Sequence, residues 1–182
     1  FVQSPTAKAI ADGYAILNEL NCVDEQGDLT RIGRMLAKLP VDPKLSRILF
    51  AASESGALAE VLIIAAGLSV QDPRERPPEH AAAADEAHKK LSDPRSDFLS
   101  YLKLWNFVSQ AFRNKESNRK FEDLMKRNFL SPRKLREWKD VIRQLLEMVR
   151  EIGWRLNTAP ATFEEIHRSL LSGLLGSIGM RR

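Results

Sequence analysis

The sequence predicts a mainly α-helical fold with one small β-hairpin near the N-terminus. Apolar residues recur at steps of three and four over most of the chain, and a serine or aspartate followed by proline marks several helix starts. Only one short segment has the pattern of a strand and a glycine turn. With 43% hydrophobic residues in 182, the chain can form one or two compact domains.

The N-terminal part begins with a capped helix. Ser4-Pro5 provides a cap and a proline at the first helical position, and apolar residues follow at helical spacing. Residues 23–29 then have the pattern of a short strand and a glycine turn, and Thr30 caps a second helix. This order of helix, hairpin and helix is typical of a winged helix, so we predict a winged-helix domain over residues 1–72.

The next two helices follow directly. Asp42-Pro43 repeats the cap-and-proline start, and Gly56 ends that helix. Residues 57–70 are apolar on nearly every side, so other helices must surround them. Prolines among charged residues then predict a connector over residues 73–80.

The remaining residues, 81–182, predict an all-α bundle. Its clearest helix is capped by Ser131 and opened by Pro132. Trp138 lies in the apolar stripe of that helix, which favours core packing over stacking on a base. The expected helices lie near 80–91, 95–113, 118–129, 132–152 and 163–178.

Positive charge is concentrated in one stretch. Ten basic and four acidic residues lie from Arg113 to Lys139, so this stretch carries +6 while the rest of the chain sums to −2. Such clustering modestly favours a polyanion partner over a merely solvated surface. The basic residues at the N-terminal end of the 132–152 helix that lie off its apolar stripe are Arg133, Lys134, Arg136 and Lys139.

No pattern for catalysis or cofactor binding is found. A phosphate-binding loop would need a glycine-rich turn ending in Gly-Lys-Ser or Gly-Lys-Thr, which the chain lacks. The histidines, His80, His88 and His167, lack partners at zinc-ligand spacing. We therefore expect no catalytic residue, no metal and no cofactor in this chain.

The single cysteine and the apolar runs indicate which cellular compartment to expect for this protein. Cys22 excludes an internal disulfide and favours a reducing cytoplasm, and its apolar neighbours indicate an inert thiol. The longest apolar run is too short for a bilayer, and the first residues show no charged-then-apolar pattern typical of a leader, so we expect no membrane partner. The chain begins with Phe1 and not with an initiator methionine. We therefore expect a fragment of a longer protein, although tag removal or processing would give the same start.

Several blocks of the sequence resemble one family. Residues 29–45, 59–77, 96–105 and 128–145 are similar, in the same order, to the stretch that follows the motor of DEAH-box RNA helicases in the bacterial HrpA type. The resemblance covers nearly the whole chain. It implies an architecture of two RecA-like ATPase domains, a winged helix, a ratchet domain and an OB-fold, of which this chain would hold the winged helix and, over residues 81–182, the ratchet.

The tetrapeptide Asp85-Glu86-Ala87-His88 spells the motif for which this family is named, but we interpret it as coincidence. In the motor, the Asp and Glu work at the tip of a buried strand facing the phosphate loop. Here four alanines precede them and two lysines follow, which is a helical and solvated context.

The resemblance further implies an ATP-dependent 3′–5′ RNA helicase as the parent enzyme. ATP and Mg²⁺ would bind the parent's motor, and this chain alone should be inactive. Its partners would be single-stranded RNA, the RecA-like motor domains and the OB-fold, with the ratchet closing the RNA channel.

The residues expected near RNA come from the same resemblance. They lie in the block from Asn128 to Arg136, where the family commonly has an arginine at the position of Arg133. Pro132 departs from the aromatic residue of many members, which puts base stacking there in doubt. Arg119 and Lys120 are weaker candidates.

Two other classes stay open. A winged-helix DNA-binding regulator should carry several basic residues on its recognition helix, but residues 42–56 offer only Lys44 and Arg47. A helical scaffold for protein partners is the second alternative.

Overall fold

In this computed structural model the described residues are Arg34 and residues 42–179, with only the backbone described for Pro43 and residues 173–179. Between residues 42 and 179 the chain is helical, with an isolated antiparallel bridge between Arg74 and Leu130 as its β pairing. The mainly α prediction is therefore confirmed for this part. Its seven α-helices are α1 (Pro43–Ser55), α2 (Leu58–Ser69), α3 (Ala81–Lys90), α4 (Asp97–Asn114), α5 (Asn118–Arg127), α6 (Pro132–Ile152) and α7 (Phe163–Gly179), and a 3-10 turn spans Pro78–His80.

The predicted winged-helix elements lie elsewhere in the chain. The helix beginning at Ser4, the strand and turn of residues 23–29, the Thr30 cap and Cys22 are outside the described residues. The winged helix with its hairpin thus stays a prediction.

The chain divides into two compact units. Of the described residues, the first unit contains those up to Leu62 together with those from Gln144 onward, and the second contains Ile63–Arg143. The domain boundaries expected at residues 72 and 80 stay a prediction.

The predicted helix boundaries follow from capping. The Asp42 carboxylate accepts a hydrogen bond of 2.8 Å from the Lys44 amide at the start of α1. Gly56 ends α1 with φ of 76°, a left-handed conformation that glycine adopts without strain. The Ser131 hydroxyl accepts from the Lys134 amide at 3.3 Å at the start of α6. These three caps were predicted from sequence and are confirmed.

The first unit is built on the packing of α1 against α7. Leu49 and Ala52 of α1, with Ile166 and Leu170 of α7, are almost fully buried. The Ser55 and Ser169 hydroxyls share a hydrogen bond of 2.7 Å within this contact.

A polar network ties the loop after α6 to the start of α2 in the same unit. The Glu60 carboxylate accepts hydrogen bonds from Asn157 Nδ2 at 2.8 Å and from the Ala161 amide at 2.7 Å. Asn157 Oδ1 in turn accepts from the Ala59 amide at 2.8 Å. These bonds satisfy backbone groups that a partly buried loop would otherwise leave without partners.

Trp138 is the centre of the second unit. Its side chain is completely buried, and its indole Nε1–H donates to the Ile63 carbonyl at 3.0 Å. The ring centroid of Trp105 lies 4.9 Å away, and Tyr101 meets the indole edge-on at 5.7 Å. The prediction that Trp138 packs in the core is confirmed.

Gly67 allows α2 to approach these rings closely. A Cβ added there would lie 2.7 Å from Tyr101 Cδ1 and 3.1 Å from Trp138 Cε2. Because Tyr101 packs on the buried Trp138, its ring has little room to move.

The Gly67→Ala variant should be less stable than the wild type. Overpacking costs about 1–3 kcal/mol, and the higher helix propensity of alanine returns at most about 1 kcal/mol. Urea unfolding measures the difference, with Ser69→Ala at the exposed end of the same helix as the control. If Gly67→Ala unfolded at the wild-type urea concentration, the close approach of α2 to Tyr101 would not matter for stability.

Among the described residues, no helix combines the length and apolarity needed to cross a membrane.

Candidate nucleic-acid interface

The segment between α5 and α6 is held in place by backbone bonds from the predicted connector. The Phe129 carbonyl accepts from the Glu75 amide at 2.8 Å and from His88 Nε2 at 2.9 Å. The Ser131 amide donates to the Pro73 carbonyl at 2.8 Å. Phe129 has φ of 55°, an unfavourable conformation for a bulky residue, and these bonds hold it there. The start of α6 is thus rigidly positioned.

The first three predicted site residues lie around this start. Asn128 donates from Nδ2 to the Leu124 carbonyl at 2.9 Å, so its side chain closes α5. Arg133 is exposed and forms an ion pair of 2.9 Å with Glu137 one turn later. Lys134 is half-buried. Both cations stand in the first turn of α6, where the positive end of the helix dipole also favours an anion.

Arg136 and Lys139 make contacts within the second unit that sequence reasoning missed. Arg136 pairs with Glu122 at 3.1 Å, and its guanidinium lies 5.7 Å from the Phe121 ring centroid. The Lys139 ammonium lies 4.4 Å from the Phe112 ring centroid. Such contacts stabilise the packing of α6 and make both cations less available to a phosphate.

Arg119 and Lys120 lie on the exposed side of α5. Arg119 is exposed, and Lys120 pairs with Glu116 just before the helix. The side chains of Phe121 and Met125 point to the opposite, buried side. We call the exposed side the α5 outer face, which consists of Arg119, Lys120, Asp123, Lys126 and Arg127.

Lys126 and Arg127 were not among the predicted site residues. Their spacing from Arg119, seven and eight positions, places them on the same side of a helix. Recognising Phe121 and Met125 as the buried side would have identified them. Among the described residues, Lys120, Asp123, Lys126 and Arg127 line a surface depression of about 720 Å³.

Arginines in the connector and in the loop before α4 form ion pairs with nearby carboxylates. Arg74 pairs with Asp72 and Arg95 with Asp93, each at 2.9 Å. The hydrogen bonds from Arg95 lower the pKa of Asp93 from its usual value to about 2. Because each arginine is paired with a carboxylate two residues away, these cations add little to the positive surface.

The tetrapeptide at residues 85–88 lies within α3, as its helical context predicted. Asp85 and Glu86 are exposed. Arg76 donates two hydrogen bonds to Asp85, which lower the pKa of that carboxyl. His88 is engaged with the Phe129 carbonyl, so the four residues do not converge on one point.

Neither a metal site nor a DNA-reading helix emerges from the described part. No group of three or more His, Cys, Asp or Glu side chains there is arranged to hold a metal ion. On the helix considered for base reading, Arg47 is buried, with 6% of its surface exposed. Within residues 42–56, Lys44 is therefore the one cation exposed for reading bases.

Comparison with known proteins identifies the family to which this chain belongs. The chain belongs to the family described as the helicase associated domain (HA2), ratchet-like, which residues 42–139 match, more than half of the 182 residues. The predicted resemblance to the HrpA type is confirmed as well. All of the chain aligns, at 42% identity, with the ATP-dependent RNA helicase HrpA of Escherichia coli K12 and covers 14% of that protein.

Two further relatives extend the similarity. The ATP-dependent RNA helicase HrpA homolog of Haemophilus influenzae is 40% identical over the whole chain, which covers 14% of it. The pre-mRNA-splicing factor ATP-dependent RNA helicase prp22 of Schizosaccharomyces pombe is 28% identical over the whole chain, which covers 15% of it. The chain therefore spans a small part of the length of these relatives.

Proposed function

We propose that this chain is the accessory region of a cytoplasmic ATP-dependent 3′–5′ RNA helicase and closes the single-stranded RNA channel against the RecA-like motor domains. The observation that supports this most is the full-length similarity to two proteins named as RNA helicases of the HrpA type. The parent would contain the motor domains and an OB-fold. The chain would contribute a winged helix over residues 1–72, a connector over 73–80 and the ratchet over 81–182.

In this proposal the chain contributes a fixed, positively charged surface to the helicase and takes no part in ATP hydrolysis. ATP and Mg²⁺ would bind the parent's motor domains, and the chain alone would not hydrolyse ATP. The bonds from Pro73, Glu75 and His88 hold the beginning of α6 in place. A fixed start of α6 would present Arg133, Lys134 and the positive end of the helix dipole to a passing phosphate without reordering.

The contacts would be with phosphates and not with bases. Trp138, the single aromatic residue of α6, is fully buried and cannot stack on a base. Phosphate contacts carry no sequence information, so binding should tolerate any RNA sequence and weaken steeply with salt.

Fluorescence anisotropy with labelled single-stranded RNA tests this proposal. The wild-type chain should bind weakly, and Arg133→Glu/Lys134→Glu should lower the affinity at least about tenfold, because two phosphate contacts become repulsive. Arg136 is left unchanged because a glutamate beside Glu122 would disturb the packing of α5 and α6.

The control is Arg143→Glu/Arg150→Glu, which makes the same charge change at two exposed positions farther along α6. It should alter the affinity by less than about threefold. Equal affinity of Arg133→Glu/Lys134→Glu and the wild type would refute the site. No binding by the wild type, even at low salt, would refute the proposed RNA contact altogether.

A further inference from the structure

We propose that the α5 outer face is a second surface that binds the phosphate backbone of the same single-stranded RNA. This inference rests on the proposed function and adds Lys126 and Arg127 to the residues expected near RNA. It assigns additional phosphate contacts to exposed cations on α5 and makes Arg136 and Lys139 structural residues.

The first support is the availability of the charges. Arg119, Lys126 and Arg127 are exposed, and no carboxylate of the described residues forms an ion pair with them. Arg133 and Arg136, by contrast, each have a carboxylate partner on their own or a neighbouring helix. A phosphate that approaches the α5 outer face displaces no ion pair at these three positions.

The second support is that the row of cations is rigid. Phe121 and Met125 anchor the other side of α5 in the core, and the Ser117 hydroxyl caps the helix by accepting from the Lys120 amide at 3.1 Å. At a rise of 1.5 Å per residue, the row from Arg119 to Arg127 spans about 12 Å. An extended polyanion can therefore contact several of these charges at once, because the helix already holds them in line.

The third support is the composition of the face, which favours a nucleic acid over a protein or a membrane. All five side chains of the α5 outer face are charged, four positive and one negative. The exposed large hydrophobic residues of the described part lie elsewhere, at Leu68, Leu156, Phe163 and Leu171. Protein interfaces and membrane surfaces use apolar anchors, which this face lacks.

A purely structural role of Lys126 and Arg127 has to be distinguished from RNA binding. Lys126 and Arg127 stand in the last turn of α5, where cations stabilise a helix by interacting with its dipole. That role would change the stability of the chain but would not change how RNA binding depends on salt. The slope of log K against log salt concentration is therefore the decisive measurement, since it counts the phosphates that the protein neutralises.

The experiment uses the full chain and fluorescein-labelled oligouridine, followed by anisotropy over a series of salt concentrations. The variant is Arg119→Gln/Lys126→Gln/Arg127→Gln. The matched control is Lys89→Gln/Lys90→Gln/Arg150→Gln, which removes the same charge from other exposed positions. Thermal unfolding followed by circular dichroism establishes that both proteins remain folded.

The α5 variant should bind about tenfold more weakly near 0.1 M salt, with a slope shallower by about 2, since each lost contact to a single strand contributes about 0.7. The control should keep the wild-type slope and stay within about twofold of its affinity. A charge-preserving variant, Arg119→Lys/Lys126→Arg/Arg127→Lys, exchanges the cations at the same positions and should keep the wild-type slope.

Three outcomes contradict the inference in different ways. If the α5 variant binds like the wild type while Arg133→Glu/Lys134→Glu weakens binding, the α5 outer face is not a contact and the proposed function stands. Equal weakening of the α5 variant and its control would mean that only net charge matters, which also overturns the inference. No RNA binding by the wild type at low salt would refute both proposals.

Discussion

Replacement of Trp138 by alanine should lower the free energy of unfolding by about 3–5 kcal/mol. The change empties the most central position of the second unit, where the indole is fully buried against Tyr101 and Trp105. It also leaves the Ile63 carbonyl without the indole N–H that now bonds it at 3.0 Å. Because whole domains are stable by only about 5–15 kcal/mol, the loss should be plain in urea or thermal unfolding.

Two further variants separate packing from hydrogen bonding. Trp138→Phe retains most of the ring but loses the N–H, so it should cost less than Trp138→Ala. Trp154→Ala serves as the control, because Trp154 is only half-buried and lies 5.7 Å from the ring of Phe50. An equal loss of stability for Trp154→Ala and Trp138→Ala would contradict the central role of Trp138.

Replacement of Glu60 by alanine should destabilise the chain by about 1.5–3 kcal/mol, the range for hydrogen bonds to a charged group. The carboxylate accepts from Asn157 Nδ2 and from the Ala161 amide, and no other described side chain replaces it there. The loop after α6 would lose its attachment to α2. Urea unfolding measures the change, with Glu54→Ala on an exposed side of α1 as the control.

A double-mutant cycle tests whether Glu60 and Asn157 act together. Because both residues belong to one network, Glu60→Ala/Asn157→Ala should cost less than the sum of the two single changes. Strict additivity would show that the two side chains stabilise the chain independently.

The helices could be predicted because their causes are local. The Asp42 and Ser131 caps, the Gly56 stop and the apolar stripe through Trp138 are all visible in short windows of sequence. Capping bonds join residues two or three positions apart, and the stripe follows from the period of the α-helix. The structure has these features at the predicted positions.

The availability of individual cations could not be predicted in the same way. Arg136 and Lys139 both lie off the apolar stripe, yet they contact Phe121 and Phe112, which come from other helices. Lys126 and Arg127 look no different from other surface cations until Phe121 and Met125 identify the buried side of α5.

By itself, the sequence determined a helical chain of the HrpA-type helicase-associated class, with its positive charge between Arg113 and Lys139. Only the tertiary structure decided which of those cations are engaged with carboxylates and rings and which remain exposed on the α5 outer face. The physical reason is the separation along the sequence over which each interaction acts. Caps and periodicity act over a few neighbouring residues, whereas the partner of a long charged side chain is chosen by helices distant in sequence that packing brings together.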